Sequence, residues 1–133
     1  MKEIKQKDLL GCGVACTAAV LNISYQEALS LFREGKVKVA ETGFYCRDIV
    51  EALRSAGLNY EYKHIKGVQK MEMHSRGTIV FLRKSNKYPA GHFLSRSENG
   101  WMDPWLNYPH KDIQAGFRIS LPEEPIYVIF PVS

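Results

Sequence analysis

The residues best suited to covalent chemistry lie near the N-terminus, where Cys12 stands between Gly11 and Gly13. Small residues at helical spacing follow, which predicts that Cys12 opens a helix. The N-terminal end of a helix is the positive end of its dipole, and this favours the thiolate, the nucleophilic form of a cysteine. The sequence therefore indicates Cys12 as a nucleophile.

A thiol nucleophile needs a base within hydrogen-bonding reach and a third group that orients the base. His92 begins an apolar strand directly after Gly91, and Asp103 ends the next strand just before Pro104. We interpret His92 as the base and Asp103 as the orienting acid. Gly91 and Phe93 are expected to leave His92 at an exposed strand end.

The turn between these two strands decides whether the histidine and the acid can meet. Residues 98–100 end in an Asn-Gly pair, which is a strong signal for a tight hairpin. A turn centred near Asn99 sets Asp103 opposite Ser95 rather than beside His92. We therefore expect strand twist or a bulge to close the remaining gap.

These segments resemble those of the bacteriocin-processing cysteine peptidases, which cut leader peptides after a double glycine, and more broadly those of the papain-like peptidases. The resemblance covers nearly the whole chain. It rests on matches in the same order: Gln6 six positions before the cysteine, Cys12-Gly13 followed by Ala15-Cys16, Gly91-His92-Phe93, and Asp103-Pro104. Three features differ from the family, one of which is the short spacing between His92 and Asp103. Gly11 stands where an acidic or polar residue is usual, and the sequence shows neither the membrane segments nor the phosphate-binding loop of a transporter.

The resemblance implies a papain-like fold and a set of catalytic roles. The implied catalytic residues are Cys12, His92, Asp103 and Gln6, with the Gln6 side chain and the backbone N–H of Cys12 forming an oxyanion hole. One donor in such a hole typically contributes about 3 to 4 kcal/mol of transition-state stabilisation. The expected protein is a cysteine peptidase that hydrolyses a peptide bond in a peptide or protein substrate, with no metal or cofactor.

Other functions stay open for the same residues. The thiol machinery can also deamidate a glutamine or pass an acyl group to an amine, because the outcome depends on what enters after acylation. A non-catalytic peptide-binding module of the same fold is a further alternative. Taken singly, Cys12 can be a small buried hydrophobe, His92 a strand histidine and Asp103 the cap of a turn. Cys16 is interpreted as a core residue, and Cys12, Cys16 and Cys46 lack the paired short spacings of a zinc site.

Aromatic residues near Asp103 and before the third predicted helix are candidates for the walls of a substrate cleft. These candidates are Trp101, Trp105, Tyr108 and the segment 43–45. The remaining histidines, His64, His74 and His110, are interpreted as surface residues.

The elements that must position these residues fall into two halves. Between residues 11 and 56 the apolar spacing predicts three helices, with a capping box at Ser24 and Glu27 and with Gly35 and Gly57 at helix C-termini. β-Branched and aromatic runs then predict strands at 60–64, 78–82, 92–96, 101–103 and 126–132. Helices followed by strands indicate one α+β domain over residues 1–133, with N-terminal helices packed on an antiparallel sheet formed by the C-terminal half. The charged segments 36–38 and 83–87 are interpreted as solvated loops.

Composition argues against several classes of function. The 133 residues are 45% hydrophobic and 24% charged, which is ordinary for a globular protein. The net charge of +4 is scattered without aromatic–basic interleaving, which argues against nucleic-acid binding. The chain shows neither an apolar signal nor a long apolar run, so we expect a cytoplasmic protein without a membrane segment. Three cysteines, an odd number, indicate free thiols, and nothing in the sequence indicates an oligomeric state.

Overall fold

The structure is a computed structural model and describes residues 1–132. Helices fill the first half of this range and strands the second, so the architecture is α+β. The helices are α1 (Cys12–Leu21), α2 (Tyr25–Leu29), α3 (Gly35–Glu41), α4 (Cys46–Ser55) and α5 (Lys70–Met73), with a 3-10 turn at Ile65–Gly67. The strands are β1 (Tyr60–His64), β2 (Ile79–Leu82), β3 (His92–Arg96), β4 (Trp101–Asp103), β5 (Gly116–Arg118) and β6 (Pro125–Pro131).

Within residues 1–132 the strands form one antiparallel sheet in the order β1-β6-β2-β3-β4-β5. α1 packs against β3, and α4 packs against β1 and β6. The main core lies between these helices and the sheet, and its strand residues include Ile79, Phe93 and Ile129. Val80 and Leu94 belong to a second core on the opposite side. Residues alternate between the two cores because successive side chains of a strand point to opposite faces.

The capping box predicted at the start of the second helix is confirmed. The Oγ of Ser24 accepts a hydrogen bond from the N–H of Glu27 at 3.1 Å, and the N–H of Ser24 donates to Glu27 Oε1 at 3.2 Å. This reciprocal pair satisfies two donors that have no partner within the helix. α4 also begins at a carboxylate, since Asp48 Oδ2 accepts from the N–H of Tyr45 at 2.7 Å.

The prediction of three helices between residues 11 and 56 is wrong, because the structure has four. Gly35 begins α3 instead of ending the second helix. A Cβ at Gly35 would lie 2.7 Å from the carbonyl oxygen of Leu29, so this close approach requires a glycine. Segment 36–38 therefore lies in a helix and not in a loop. Lys38 forms an ion pair with Asp48 at 3.2 Å.

The predicted strands agree closely with the observed ones. Those at 60–64, 92–96 and 101–103 have the predicted bounds, and those at 78–82 and 126–132 lie within one residue of them. β5 has no counterpart in the sequence prediction; it contains three residues, begins at a glycine and has only one aromatic residue, Phe117.

The loop of the β3–β4 hairpin differs from the one expected. The N–H of Ser97 donates to the carbonyl oxygen of Gly100 at 2.8 Å, so the loop consists of residues 98 and 99 alone. Gly100 belongs to the paired segment beyond the turn. A Cβ there would overlap the carbonyl oxygen of Arg118 in β5, so the glycine serves the contact between β4 and β5.

This loop shifts the register by one residue. Ser95 pairs with Met102, and one step further along the same register Asp103 lies opposite Leu94. Because a one-residue shift exchanges the two faces of a strand, Asp103 comes to the same face as Leu94 and His92. His92 and Asp103 are therefore diagonal neighbours, which lie within reach of each other across an antiparallel pair. The expected position opposite Ser95 is wrong, and no bulge is needed.

Candidate active site

A cleft of about 280 Å³ opens between the start of α1 and the start of β3. Cys12 and His92 line it from these two elements, and Gln6 lines it from the loop that precedes α1. Asp103 lies beside His92 and is fully buried. The remaining walls include Leu9, Leu10, Thr42, Gly43, Phe44, Trp105, Tyr108 and Pro109. All four residues selected from the sequence thus lie in or next to one cleft.

Cys12 is the first residue of α1 and is partly exposed. The first N–H groups of a helix have no partner within the helix, so the N–H of Cys12 is free of the helical ladder. A Cβ at Gly11 would overlap the hydroxyl of Tyr25. That hydroxyl donates to Asp8 Oδ2 at 2.7 Å and so ties the loop 6–11 to α2. The Tyr25–Asp8 contact therefore requires Gly11, which explains why no larger residue precedes the cysteine.

His92 and Asp103 form a buried pair. The Nε2 atom of His92 lies 2.7 Å from Asp103 Oδ1, and the two side chains are 4% and 0% exposed. This distance lies within the range of about 2.6 to 3.2 Å expected between a base and its orienting group. Cys12 lines the cleft beside His92, and Nδ1 is the ring nitrogen that Asp103 leaves free to face it. A thiol, an imidazole and a carboxylate are thus aligned in that order.

The expectation that His92 lies at an exposed strand end is wrong. The ring of Tyr88 stacks on the imidazole with centroids 4.7 Å apart and an angle of 7° between the planes, and both residues are buried. Gly91 has a φ of 75°, and a Cβ there would overlap the ring of Phe81. A glycine is therefore required where the chain turns into β3 to present His92.

Asp103 accepts two further hydrogen bonds, of which the first is the turn cap that the sequence left open and the second was not predicted. The N–H of Trp105 donates to Oδ1 at 2.9 Å, and Nε of Arg118 donates to Oδ2 at 2.7 Å. Arg118 was missed because β5 was missed. It lies between two exposed apolar residues, Phe117 and Ile119. Read from the sequence alone, the alternation of apolar and charged residues would place Arg118 on the outer face, so no local signal could have found it.

The surroundings set the charge of this pair. Burial lowers the pKa of His92, but the hydrogen bond to Asp103, the nearby Cys12 and the negative charges of both raise it to about 9. Burial raises the pKa of Asp103, but the hydrogen bond and charge of His92 and the hydrogen bond of Arg118 hold it below its usual range. At neutral pH the site therefore contains an imidazolium beside an ionised carboxylate.

Gln6 is buried, and its side chain is engaged with its own loop. The Nε2 atom donates to the carbonyl oxygens of Asp8 at 3.0 Å and Leu9 at 3.1 Å. Its Oε1 atom is buried and has no hydrogen-bond partner within residues 1–132. To donate to an oxyanion in the cleft, Gln6 must therefore exchange one of its two carbonyl partners for the substrate oxygen.

The other two cysteines have different surroundings. Cys16 lies one turn after Cys12 on α1 and is fully buried, which confirms its interpretation as a core residue. Burial, and then the nearby charge of Cys12, raise the pKa of the Cys16 thiol well above its ordinary value. Burial also raises the pKa of Cys46, to about 12. Both thiols are therefore held in the unreactive protonated form at neutral pH.

The aromatic candidates divide between the cleft and the core. Trp105, Tyr108 and Phe44 line the cleft, whereas Trp101 is buried in the second core and Tyr45 lines a neighbouring apolar pocket. As interpreted, three histidines are exposed: His64, His74 and His110. Across residues 1–132 no helix combines the length and the apolar character needed to cross a membrane.

Comparison with known proteins identifies the fold. No protein-family model matches the sequence, and no curated protein matches it. Among solved structures, the chain is similar to the peptidase domain of Streptococcus ComA, a bifunctional ABC transporter involved in a quorum-sensing pathway. The similarity covers 98% of this chain and 96% of that one, with a TM-score of 0.55 and 22% sequence identity. The chain therefore has the fold of a peptidase domain, and its chemistry must be argued from its own site.

Proposed function

We propose that this chain is a papain-like cysteine peptidase that hydrolyses peptide bonds through Cys12, His92, Asp103 and Gln6. The observation that carries the proposal is the buried 2.7 Å contact between His92 and Asp103, next to a thiol at the start of a helix. The fold shared with a peptidase domain supports it independently. We also propose that residues 1–133 form one domain and act in the cytoplasm, where the three free cysteines remain reduced.

In the first step, the Cys12 thiolate attacks the carbonyl carbon of the scissile peptide bond. A C–S bond forms, and the carbonyl electrons move onto the oxygen. The raised pKa of His92 keeps the imidazole protonated at neutral pH, so the proton needed by the leaving amine is present before the attack. Transfer of that proton allows the C–N bond to break and leaves a thioester on Cys12.

The negative oxygen of the intermediate needs hydrogen-bond donors at the cleft. The backbone N–H of Cys12 is one, because it lies at the start of α1, where the helix dipole is also positive. The Nε2 group of Gln6 is the second, once one of its loop contacts is exchanged for the oxygen. The small energetic cost of this exchange is offset by a charge-assisted hydrogen bond, which is stronger than a neutral one.

In the second step, water hydrolyses the thioester. His92, now neutral, accepts a proton from the water while the hydroxide attacks the thioester carbonyl. Collapse of this second intermediate breaks the C–S bond and returns the thiolate beside the imidazolium. Asp103 keeps one ring nitrogen engaged in both steps, so the other continues to face Cys12.

The substrate that we propose is a peptide or a protein segment in extended form. The cleft is flanked by Leu10, Gly43 and Phe44 on one side and by Trp105 and Tyr108 on the other. Peptides that contain a double glycine are the first to test, because the sequence resembles the bacteriocin-processing peptidases at the segments given above.

The test combines thiol labelling with turnover. The protein is treated with iodoacetamide at pH 6, and the modified cysteine is identified by peptide mass spectrometry. We expect selective modification of Cys12, with Cys16 and Cys46 unlabelled while the protein stays folded. Wild type and Cys12→Ala are then incubated with a peptide library that includes double-glycine sequences, and we expect cleavage by wild type alone.

Each alternative predicts a different result. A non-catalytic binding module would show slow labelling of all three thiols and no turnover, and this outcome would refute the proposal. A deamidase would release ammonia from glutamine peptides without cutting the chain. An acyltransferase would cut the chain only in the presence of an added amine, and would yield a product extended by that amine.

A further inference from the structure

The ionised Asp103 is held by a residue outside the proposed catalytic set. Arg118 in β5 donates from Nε to Asp103 Oδ2 at 2.7 Å and from Nη2 to the carbonyl oxygen of Leu106 at 3.2 Å. Its side chain is 23% exposed, whereas that of Asp103 is fully buried. The second bond fixes the guanidinium from the loop that follows β4, so its orientation does not depend on Asp103 alone.

The two oxygens of Asp103 have separate partners. Oδ1 accepts from His92 and from the N–H of Trp105, and Oδ2 accepts from Arg118. Without Arg118, Oδ2 would be a buried carboxylate oxygen with no donor, which is a costly arrangement. The carboxylate could then relieve this cost by taking up a proton or by rotating away from His92.

Other titratable groups face Asp103 from the surrounding elements. His92 approaches from β3 and Arg118 from β5, and Tyr88 contributes from the loop before β3. Cys16 contributes from α1, and Cys12, also on α1, acts on His92. Of these groups, His92 and Arg118 supply positive charge, and only Arg118 keeps its charge throughout the catalytic cycle, since His92 gives up its proton to the leaving amine.

We propose that Arg118 is a positioning residue, which holds the Asp103 carboxylate ionised and directed at His92 while the imidazole is neutral. The role in turnover rests on the proposed function, but the electrostatic role does not. The surface pair of Arg83 and Glu123, joined at 3.0 Å, offers a matched control because it is also an arginine–carboxylate pair but lies outside the site.

The first test follows the Asp103 carboxyl carbon by NMR during a pH titration of wild type, Arg118→Gln, Arg118→Lys and Arg83→Gln. We expect the midpoint to move to higher pH in Arg118→Gln, because a nearby positive charge favours the ionised carboxylate. Arg118→Lys should lie between that variant and wild type, and Arg83→Gln should match wild type. An unchanged midpoint in Arg118→Gln would overturn the proposal.

The second test uses wild-type protein and so does not depend on the folding of a variant. The Nε–H of Arg118 should exchange with solvent more slowly than that of Arg83, because it donates to the fully buried carboxylate of Asp103, whereas Arg83 is exposed and bonds Glu123 through Nη2. Equal exchange rates at the two arginines would overturn the proposed positioning role of Arg118.

The kinetic test applies where wild type shows turnover. Arg118→Gln should lower kcat at least about tenfold with little change in KM, since the loss of one charge partner is equivalent to at least about one pKa unit. The acid limb of its pH profile should move to higher pH, and Arg118→Lys should restore part of both effects. A uniform loss at all pH values would show a merely structural role and overturn the proposal. If wild type is inactive, the proposed peptidase activity is refuted, whereas the two NMR tests still decide the electrostatic role of Arg118.

Discussion

The two thiols of α1 lie one turn apart and face different parts of the molecule. Cys12 opens the helix at the cleft, beside His92, and is partly exposed. Cys16 is packed in the core between the helices and the sheet, with no exposed surface. The residue type and the helix are the same, so the difference comes from neighbours that are distant in sequence. Position at a helix end, a partner imidazole and access to the cleft all belong to Cys12 alone.

The two regions also differ in how they are held. Around Cys16 the contacts are apolar and tolerate exchange between residues of similar volume. Around Cys12 a chain of directional contacts runs from Arg118 through Asp103 to His92, and a second ties Tyr25 to Asp8. Loss of one member of such a network leaves a buried partner unsatisfied. Substitutions should therefore affect turnover around Cys12 and stability around Cys16.

The largest effect is expected from exchanging the thiols themselves. Cys12→Ala should lower turnover by about a millionfold, the size of loss seen when a nucleophile that acts with its base is removed. Cys16→Ala should keep most activity and lower the free energy of unfolding by about 1 kcal/mol. Peptide cleavage and urea unfolding, measured on both variants, check this contrast. Comparable losses of turnover in the two variants would contradict the contrast between the two thiols.

Asp103→Asn comes next in expected effect. An asparagine has one acceptor and one donor at its end, whereas the site offers donors to both positions, from His92 and Trp105 on one side and Arg118 on the other. The amide must therefore face at least one donor with its own N–H. We expect kcat to fall about ten-thousandfold. The double variant with His92→Ala should lose little more activity than His92→Ala alone. An additive loss would show that the two residues do not act as a unit.

Gln6→Ala tests the second donor of the oxyanion hole. We expect kcat to fall about a hundredfold, because this is the lower end of the loss when one such donor is removed. Gln26→Ala on the exposed side of α2 is the control and should behave as wild type. If Gln6 acts only by bracing its loop, KM and kcat should change together and Cys12 labelling at pH 6 should slow in parallel.

The charge state of His92 should make stability depend on pH. Its pKa is raised from 6.5 to about 9 in the folded protein. The stabilisation that protonated His92 contributes to the folded state is therefore fully present below pH 6.5 and is lost as the pH rises through 9. We expect the free energy of unfolding to fall by on the order of 2 to 3 kcal/mol across this window, since one pKa unit corresponds to about 1.36 kcal/mol. Urea unfolding of wild type and His92→Gln between pH 6 and 9 checks this, and the same pH dependence in both would contradict it.

Tyr25→Phe should have the smallest effect. It removes the hydroxyl that donates to Asp8 and loosens the loop 6–11 without touching the reacting groups. We expect kcat to fall about tenfold, equivalent to about 1.4 kcal/mol. Tyr60→Phe is the matched control, since its hydroxyl donates to the carbonyl oxygen of Gly77 at 2.8 Å, outside the cleft. A similar loss in both variants would point to a general loss of stability.

Much of the local structure could be predicted from the sequence. The helix start at Cys12, the capping box at Ser24 and the bounds of β1, β3 and β4 follow from patterns within a few residues. Capping, turn and alternation signals are short-range, because the hydrogen bonds that produce them join residues close in the chain.

The register of the β3–β4 hairpin was decided by the tertiary structure. The sequence suggested a turn centred near Asn99, but Gly100 lies in the paired segment where β4 meets Arg118 of β5. The loop closed one residue earlier, and that single step brought Asp103 to the face of His92. The glycine at position 100 is compatible with this register because it leaves room for the carbonyl oxygen of Arg118, a residue of a strand that the sequence pattern did not reveal.

The sequence by itself determined which residue types are available for chemistry and the order in which they occur, because these depend only on the chain. The tertiary structure decided their surroundings: the Tyr88 ring stacked on His92, the hydrogen bond from Arg118 to Asp103, and the Tyr25 hydroxyl next to Gly11. Each of these contacts joins elements that meet only when the sheet and the helices pack. Burial and partner charge, which set the protonation of the site, arise from that packing and are not properties of any segment alone.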